Sequence, residues 1–157
     1  MISIVDDDAY VRESLRDLIE SLGYDVATFE SAERFLKATC LAETSCLITD
    51  LQMPGLSGID LQGRLIADGH CVPLIFVTGS SDEKFRVRAM SAGAVGFLSK
   101  PLDESLLISC LESALNPSIV PPSNDRVHDV CINQSIGCIG QQTYATKLSG
   151  RQADCVE

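Results

Sequence analysis

Short apolar runs alternate with amphipathic stretches along the chain up to about residue 116. Five of the apolar runs predict β-strands, and three of these are almost continuously apolar. Continuous apolar runs are typical of parallel strands that are buried on both faces of a sheet. The predicted strands cover residues 2–5, 25–29, 46–49, 73–77 and 95–98.

Helices are predicted between these strands, because apolar residues there recur every three or four positions. The predicted helices cover residues 11–22, a short segment from residue 31, and residues 59–67, 83–92 and 104–115. Gly23 and Gly93 directly follow the first and the fourth, where a glycine commonly ends a helix. Strands that alternate with helices form parallel sheets through right-handed crossovers. We therefore predict an α/β fold of the flavodoxin-like (βα)5 type, a doubly wound parallel sheet with strand order 2-1-3-4-5.

The pattern changes at residues 116–117, where a segment rich in proline and serine begins. Such a composition is typical of a linker. We therefore predict a folded domain over residues 1–116, a linker or irregular tail over residues 117–147, and a separate short segment over residues 148–157.

Composition and charge narrow the class of protein. The chain has 157 residues and a net charge of −10, which disfavours nonspecific binding to nucleic acids or anionic membranes. The longest apolar run, near residues 72–77, is too short to cross a bilayer, and no signal segment follows Met1. The seven cysteines include no C-x-x-C pair, so we predict neither a zinc site nor a disulfide framework. We expect a cytoplasmic protein with reduced thiols and no membrane contact.

Polar side chains follow four of the predicted strands. Asp6 and Asp7 follow the first strand, and Asp50 follows the third. Thr78 follows the fourth strand, and Lys100 lies just after the fifth. Ligands of open α/β sheets bind at the carboxyl ends of the strands, so we expect these five side chains to meet in one pocket.

The residue types predict phosphoryl chemistry with a divalent cation. Two like charges about 4 Å apart repel by about 4 kcal/mol at an effective dielectric constant of about 20, so the three carboxylates need a counter-ion. Oxygen ligands without His or Cys favour Mg²⁺ or Mn²⁺ over zinc. Asp50 is the candidate nucleophile, which would hold a phosphoryl group as an acyl phosphate. The hydroxyl of Thr78 and the ammonium of Lys100 would bind its oxygens.

Each of these residues also has a plainer interpretation when it is taken alone. The acidic run 6–8 could cap the first helix, and Asp8 is expected to do so. Thr78 could be an ordinary strand residue and Lys100 a surface lysine. Their joint occurrence at four strand ends favours the shared site.

Four motifs carry a family resemblance. They are I-V-D-D-D at 4–8, D-L-Q-M-P-G-L-S-G at 50–58, F-V-T-G at 76–79 and A-G-A-V-G-F-L-S-K-P at 92–101. With them, the chain resembles the receiver domain of two-component response regulators over about residues 1–116. The resemblance implies that Asp50 accepts a phosphoryl group from a histidine kinase. It implies a phosphoacceptor with self-catalysed transfer and slow autodephosphorylation rather than a turnover enzyme.

The resemblance also implies a ligand set. Mg²⁺ would be held directly by Asp7, Asp50 and the backbone carbonyl of Gln52, with Asp6 acting mainly through water. Thr78 and Lys100 would bind the phosphoryl group.

A switch is implied as well. Phe97 matches the switch aromatic, which swings inward as Thr78 moves, although a plain buried strand aromatic is the alternative. The α4-β5-α5 face would then change shape, form a homodimer and control transcriptional output.

The motifs S-A-E-R-F-L at 31–36 and T-G-S-S-D at 78–82 resemble the FixJ-type branch. That branch carries a LuxR-type helix-turn-helix after a linker. The segment L-S-G-R-Q-A-D-C-V-E at 148–157 is similar to the opening of such a DNA-binding domain. Because these residues contain no recognition helix, we expect no DNA binding from this chain alone.

Three other classes remain as alternatives. A haloacid-dehalogenase-like phosphatase would use D-x-D-x-T/V after the first strand, but residues 6–10 read D-D-D-A-Y. A phosphorylation-independent interaction module would not need the complete Asp, Thr and Lys set. A flavin protein would carry a phosphate loop rich in hydroxyls and glycine where this chain has three aspartates.

Overall fold

The structure is a computed structural model that describes residues 1–80 and 82–116. The predicted linker at 117–147 and the segment at 148–157 lie outside the described residues. Five parallel strands form one sheet in the order β2-β1-β3-β4-β5. The strands are β1 Ile2–Val5, β2 Val26–Phe29, β3 Cys46–Thr49, β4 Leu74–Thr78 and β5 Gly96–Ser99. The predicted flavodoxin-like fold and its strand order are confirmed.

Five α-helices connect or follow the strands. They are α1 Ala9–Ser21, α2 Ala32–Leu36, α3 Gly58–Ala67, α4 Glu83–Ser91 and α5 Glu104–Leu115. A 3₁₀ helix at Thr39–Glu43 was not predicted, since it is short and Ala38 before it offers no capping side chain. Aspartate or serine side chains cap the starts of the five described α-helices. Asp8 accepts from the backbone N–H groups of Tyr10 and Val11, which confirms its predicted role.

The last two strands begin and end one residue later than predicted. Leu74 is the first residue of β4 to pair with β3, so the strand includes Thr78. Thr78 pairs in turn with Ser99 at the end of β5. The sheet ladder therefore fixes the backbone of Thr78 directly and leaves Lys100 one residue beyond the edge.

Helices cover both faces of the sheet. Leu47, Phe76 and Phe97 point to one face, where they pack with α2, α3 and α4. Ile48 and Ile75 point to the other face, where they pack with α1 and α5. Adjacent strand residues alternate between the two clusters, as the pleat of a strand requires. With both faces apolar, the polar strand-end residues are left at the carboxyl edge of the sheet.

Most of the described cysteines are thiols, as predicted. Cys40, Cys46 and Cys110 are free, and burial raises the pKa of Cys46 to about 12 and that of Cys110 to about 11. The prediction is wrong for Cys71, which is disulfide-bonded. Disulfide pairing depends on distance in the folded chain, and cysteine spacing alone does not indicate it. Among the residues that the structure covers, no helix is both long and apolar enough to cross a membrane.

Two glycine substitutions, one where β5 contacts α5 and one on the surface of α3, should change the stability of the fold in opposite directions. A Cβ on Gly96 would lie 2.8 Å from the Sγ of Cys110, so Gly96→Ala should lower the free energy of unfolding by about 1–3 kcal/mol. Gly63 is exposed within α3 with open space at its Cβ, so Gly63→Ala should raise it by about 0.5–1 kcal/mol. Urea unfolding measures both changes.

The control is the double variant Gly96→Ala with Cys110→Ala. Removing the sulfur frees the space, so the double variant should lose less stability than the two single variants together. Strict additivity would contradict this account of the contact.

Candidate functional site

Lys100 joins two acidic strand ends. Its Nζ lies 3.0 Å from Oδ2 of Asp6 and 3.2 Å from Oδ2 of Asp50. The side chains of Asp6 and Asp50 are only 2% and 11% exposed, and that of Lys100 is 27% exposed. The ammonium therefore forms a partly buried bridge between carboxylates that lie 44 residues apart in sequence (50 − 6).

The three predicted carboxylates form one cluster. One oxygen each from Asp6, Asp7 and Asp50 lie within 4.8 Å of one another. Asp6 and Asp50 are buried, whereas Asp7 is exposed, so the cluster opens to solvent on the side of Asp7. Three carboxylate oxygens at this spacing, without nitrogen or sulfur ligands, fit a hard divalent cation.

Main-chain hydrogen bonds place the two buried acids. The backbone N–H of Asp50 donates to the carbonyl of Val5 at 2.9 Å, which aligns the ends of β1 and β3. The backbone N–H of Asp8 donates to Oδ1 of Asp6 at 2.8 Å, and Nη1 of Arg12 donates to the carbonyl of Asp6 at 2.6 Å. Asp6 thus keeps Oδ2 for Lys100, while Asp8 and Arg12 hold its Oδ1 and its carbonyl, and its own backbone N–H donates to the carbonyl of Phe29 at 3.2 Å.

The electrostatics of the site reflect burial and pairing. Burial raises the pKa of Asp6, and the hydrogen bonds from Asp8 and Lys100 offset only part of that effect. Burial alone would lower the pKa of Lys100, but the bonds and charges of Asp6 and Asp50 outweigh it and raise the pKa. The ion pairs of Lys100 therefore contribute fully to the free energy of unfolding below pH 10.5, the ordinary pKa of a lysine. This contribution is lost as the pH rises through the raised pKa of Lys100.

Thr78 lies at the same edge but has a different partner. Its side chain is fully buried, and its Oγ1 accepts from the backbone N–H of Ser80 at 3.1 Å. Its carbonyl accepts from the backbone N–H of Lys100 at 2.8 Å, which links the ends of β4 and β5. The Lys100–Pro101 peptide is cis.

Phe97 and Gln52 are the two remaining predicted residues. Phe97 is 4% exposed, and its ring centroid lies 5.9 Å from that of Phe76. Gln52 is exposed, and its backbone N–H donates to Oδ1 of Asp50 at 3.2 Å. The loop after β3 therefore bends back over the carboxylate of Asp50.

The sequence analysis did not predict that position 58 requires a glycine. A Cβ there would collide with the carbonyl oxygen of Asp50 and lie 3.0 Å from Cε1 of Phe76. The sequence pattern gave no signal for it, because the predicted helix begins at residue 59 and the structure alone places Gly58 in the first turn of α3. Arg12 and Glu33 were also missed, since a contact with a distant main-chain atom leaves no periodic pattern.

Comparison with known proteins decides the family. A family model of the response regulator receiver domain matches residues 2–112. The chain belongs to this family. This receiver domain is 40% identical over 114 residues to the transcriptional regulatory protein FixJ of Bradyrhizobium diazoefficiens, an alignment that covers 73% of this chain and 56% of FixJ.

Two further relatives extend the comparison. The receiver chain is 41% identical over 152 residues to the response regulator protein TodT of Pseudomonas putida, across 96% of this chain and 67% of TodT. The nodulation protein W of Bradyrhizobium diazoefficiens is 42% identical over 114 residues, across 73% of this chain and 50% of the relative. The chain therefore spans about half the length of several curated relatives.

Solved structures agree with this family. The crystal structure of FixJ-N has a TM-score of 0.66 at 36% identity, with 76% of this chain and 95% of that chain covered. The response regulator StyR has a TM-score of 0.68 at 44% identity, with 73% and 58% covered.

The bridge at Lys100 predicts a specific loss of stability in metal-free buffer. Lys100→Met leaves two buried carboxylates without their cation, so the free energy of unfolding at pH 7 should fall by about 1–2 kcal/mol. The partial exposure of Lys100 keeps this below the cost for a fully buried pair. Urea unfolding in the presence of a chelator measures the change.

Lys84→Met is the matched control, because Lys84 is exposed on α4 and its substitution should change stability by less than about 0.5 kcal/mol. Equal effects of the two substitutions would contradict the assigned bridge. Adding Asp6→Asn to Lys100→Met should restore part of the loss, since it removes one of the uncompensated charges.

Proposed function

We propose that Asp50 accepts a phosphoryl group from a histidine kinase, and that the modified receiver controls dimerisation and transcriptional output in a longer response regulator. The observation that carries this proposal is the contact of the Lys100 ammonium with both Asp6 and Asp50 beside the acidic cluster. An ammonium and a cation site on either side of one carboxylate are the parts that phosphoryl transfer needs.

Mg²⁺ is the proposed cofactor. Asp7, Asp50 and the backbone carbonyl of Gln52 would hold it directly, and Asp6 would act mainly through a bound water. When bound, Mg²⁺ neutralises charge on the carboxylates and on the phosphoryl oxygens.

The protein residues position the transfer. A carboxylate oxygen of Asp50 attacks the phosphorus, and the P–N bond of the kinase phosphohistidine breaks. The electron pair of that bond stays on the imidazole nitrogen. Lys100 moves its contacts from the carboxylates to a phosphoryl oxygen. The hydroxyl of Thr78, which accepts from the N–H of Ser80, donates its own proton to another phosphoryl oxygen. Water then hydrolyses the acyl phosphate slowly, so the domain resets without acting as a turnover enzyme.

A groove beside Lys100 supports docking of a kinase helix. The groove has a volume of about 370 Å³ and lies between α1 and the segment that joins β5 to α5. Tyr10, Leu18, Pro101 and Leu102 are among its lining residues, and Tyr10 is 82% exposed. An apolar surface next to the acceptor would orient a partner while leaving Asp50 accessible.

The switch is proposed to act through α4. This helix buries only Ala89 and Met90, so a small number of contacts hold it against the domain. One of them is the hydrogen bond from Nε2 of Gln62 to the carbonyl of Ala89 at 3.0 Å, while Oε1 of Gln62 is buried without a partner. A phosphoryl group adds a charge of about −1.5 to −2 at the strand ends, and movement of Thr78 and Phe97 would transmit it to α4 and β5.

Phosphorylation is tested by intact mass. After incubation with Mg²⁺ and acetyl phosphate or a phosphoramidate, the mass should rise by one phosphoryl group that is released at alkaline pH. Asp50→Asn should gain none, because its amide is not nucleophilic. Labelling of Asp50→Asn, or steady hydrolysis of small phosphate esters by the unmodified protein, would contradict the proposal.

Dimerisation is tested by analytical ultracentrifugation of the full chain. The phosphorylated protein should contain more dimer than Asp50→Asn treated alike, because only the former moves the α4-β5-α5 face. An exposed apolar side chain on that face, Val87 at 55% exposure, supports such a contact. The same monomer fraction in both samples would rule out the dimer switch.

A further inference from the structure

A distant side chain holds the loop that follows Asp50. The loop, residues 51–57, connects β3 to α3. Oε1 of Glu33 accepts a hydrogen bond from the backbone N–H of Leu56 at 3.0 Å, although the two residues are 23 positions apart. Glu33 lies in the first turn of α2, behind its capping residue Ser31. The contact therefore joins α2 to the far end of the loop.

The loop is shaped to receive this carboxylate. Gly55 has a φ of +81°, a conformation that glycine adopts readily and other residues rarely. A Cβ on Gly55 would lie 2.7 Å from Oε1 of Glu33, so the carboxylate lies in the space that a side chain would fill. Gly55 thus allows both the turn and the close approach of Glu33.

Glu33 is a charged acceptor at neutral pH. Hydrogen bonds from its own backbone N–H and from that of Leu56, with a further one from the Ser31 hydroxyl, lower the pKa of Glu33 below its ordinary value. A carboxylate accepts a stronger hydrogen bond than a neutral oxygen does. Its position near the start of α2 also suits a negative charge.

The other end of the loop is tied to the acceptor itself. The backbone N–H of Gln52 donates to Oδ1 of Asp50 at 3.2 Å, and that of Gly58 donates to the carbonyl of Leu51 at 3.0 Å. With Glu33 on Leu56, the loop is fixed at its beginning, its end and one point between them. Removing the Glu33 contact would leave the main chain between Gln52 and Gly58 held only at its two ends, and the carbonyl of Gln52 lies at the start of that stretch.

We propose that Glu33 is a positioning residue for the Mg²⁺ site, and that it acts by fixing the loop that carries the carbonyl of Gln52. This inference rests on the proposed function, because only there is that carbonyl a metal ligand. Residues that orient metal ligands from outside the coordination sphere commonly contribute about 10–100-fold to metal affinity. Glu33 contacts Leu56, which is four residues away from Gln52 along the chain (56 − 52). We therefore expect its effect on Mg²⁺ affinity to lie near the lower end of this range.

The experiment is calorimetric titration of Mg²⁺ into the full chain. Glu33→Ala should weaken Mg²⁺ binding by about tenfold. Glu33→Gln keeps an acceptor oxygen at the same position and should stay within about threefold of the unmodified protein. Glu30→Ala is the matched control, because it removes the same charge from a nearby exposed residue that pairs only with Arg34 among the described salt bridges.

A second readout separates positioning from general destabilisation. In the metal-free protein, the NMR amide resonances of Leu56 and Gln52 should shift in Glu33→Ala and should shift much less in Glu33→Gln, which keeps a weaker acceptor at the same position. Gly55→Ala, which puts a methyl group against Oε1, should also weaken Mg²⁺ binding. The double variant of Gly55→Ala with Glu33→Ala should bind no more weakly than the weaker single variant, because both changes break the same contact.

Two results would overturn the inference while leaving the proposed function intact. One is a Glu33→Ala protein that binds Mg²⁺ as tightly as the unmodified chain. The other is a Glu33→Gln protein that is as weak as Glu33→Ala, since the accepted hydrogen bond would then not be the cause. An unmodified chain that binds no Mg²⁺ would instead overturn the proposed function together with the inference.

Discussion

The structure depends on one electrostatic constraint, which is the pairing of the Lys100 ammonium with two buried carboxylates. A parallel sheet places its carboxyl ends along one edge, and here that edge collects Asp6, Asp7 and Asp50. Like charges at such spacing repel by several kcal/mol in a medium less polar than water. Lys100 offsets part of this repulsion at 3.0 and 3.2 Å, and the remaining charge makes the cluster a cation site.

The rest of the fold keeps this arrangement in place. Two apolar clusters cover the faces of the sheet, so the polar groups are confined to its edge. Main-chain bonds align neighbouring strand ends, from Asp50 to Val5 and from Lys100 to Thr78. The ion pair between Lys100 and Asp50 connects the acceptor to the end of β5, which supports the proposed response of that strand to a charge added at Asp50.

Sequence reasoning succeeded where the information was periodic or positional. Alternating apolar runs predicted the sheet, and the residues just after the first, third and fifth runs include the four side chains that meet at its edge, Asp6, Asp7, Asp50 and Lys100. The end of β4 was predicted one residue early, because backbone pairing rather than the apolar run decides that Thr78 belongs to the strand. The burial of Phe97 agrees with the alternative of a buried strand aromatic, whereas the hydrogen bond that Oγ1 of Thr78 accepts from the N–H of Ser80 depends on the local turn and is not readable from the pattern.

The sequence pattern mainly failed to predict contacts between a side chain and the main chain of another residue. Arg12 on the carbonyl of Asp6 and Glu33 on the N–H of Leu56 join a side chain to main-chain atoms, which any residue possesses, so neither partner leaves a signature in the sequence. Cys71 escaped prediction for a similar reason, because only the fold determines which sulfur it can reach. Gly58 escaped prediction because the apolar pattern begins the helix at residue 59, and only the folded chain shows how closely Asp50 approaches it.

Trapping with beryllium fluoride tests the central claim most directly, because this anion imitates a phosphoryl group bound to a carboxylate. Fluorine NMR with Mg²⁺ present should show one protein-bound species at unit stoichiometry, and amide shifts should centre on Asp50, Thr78 and Lys100. The account is contradicted if binding does not depend on Mg²⁺, or if the shifted amides lie away from these strand ends.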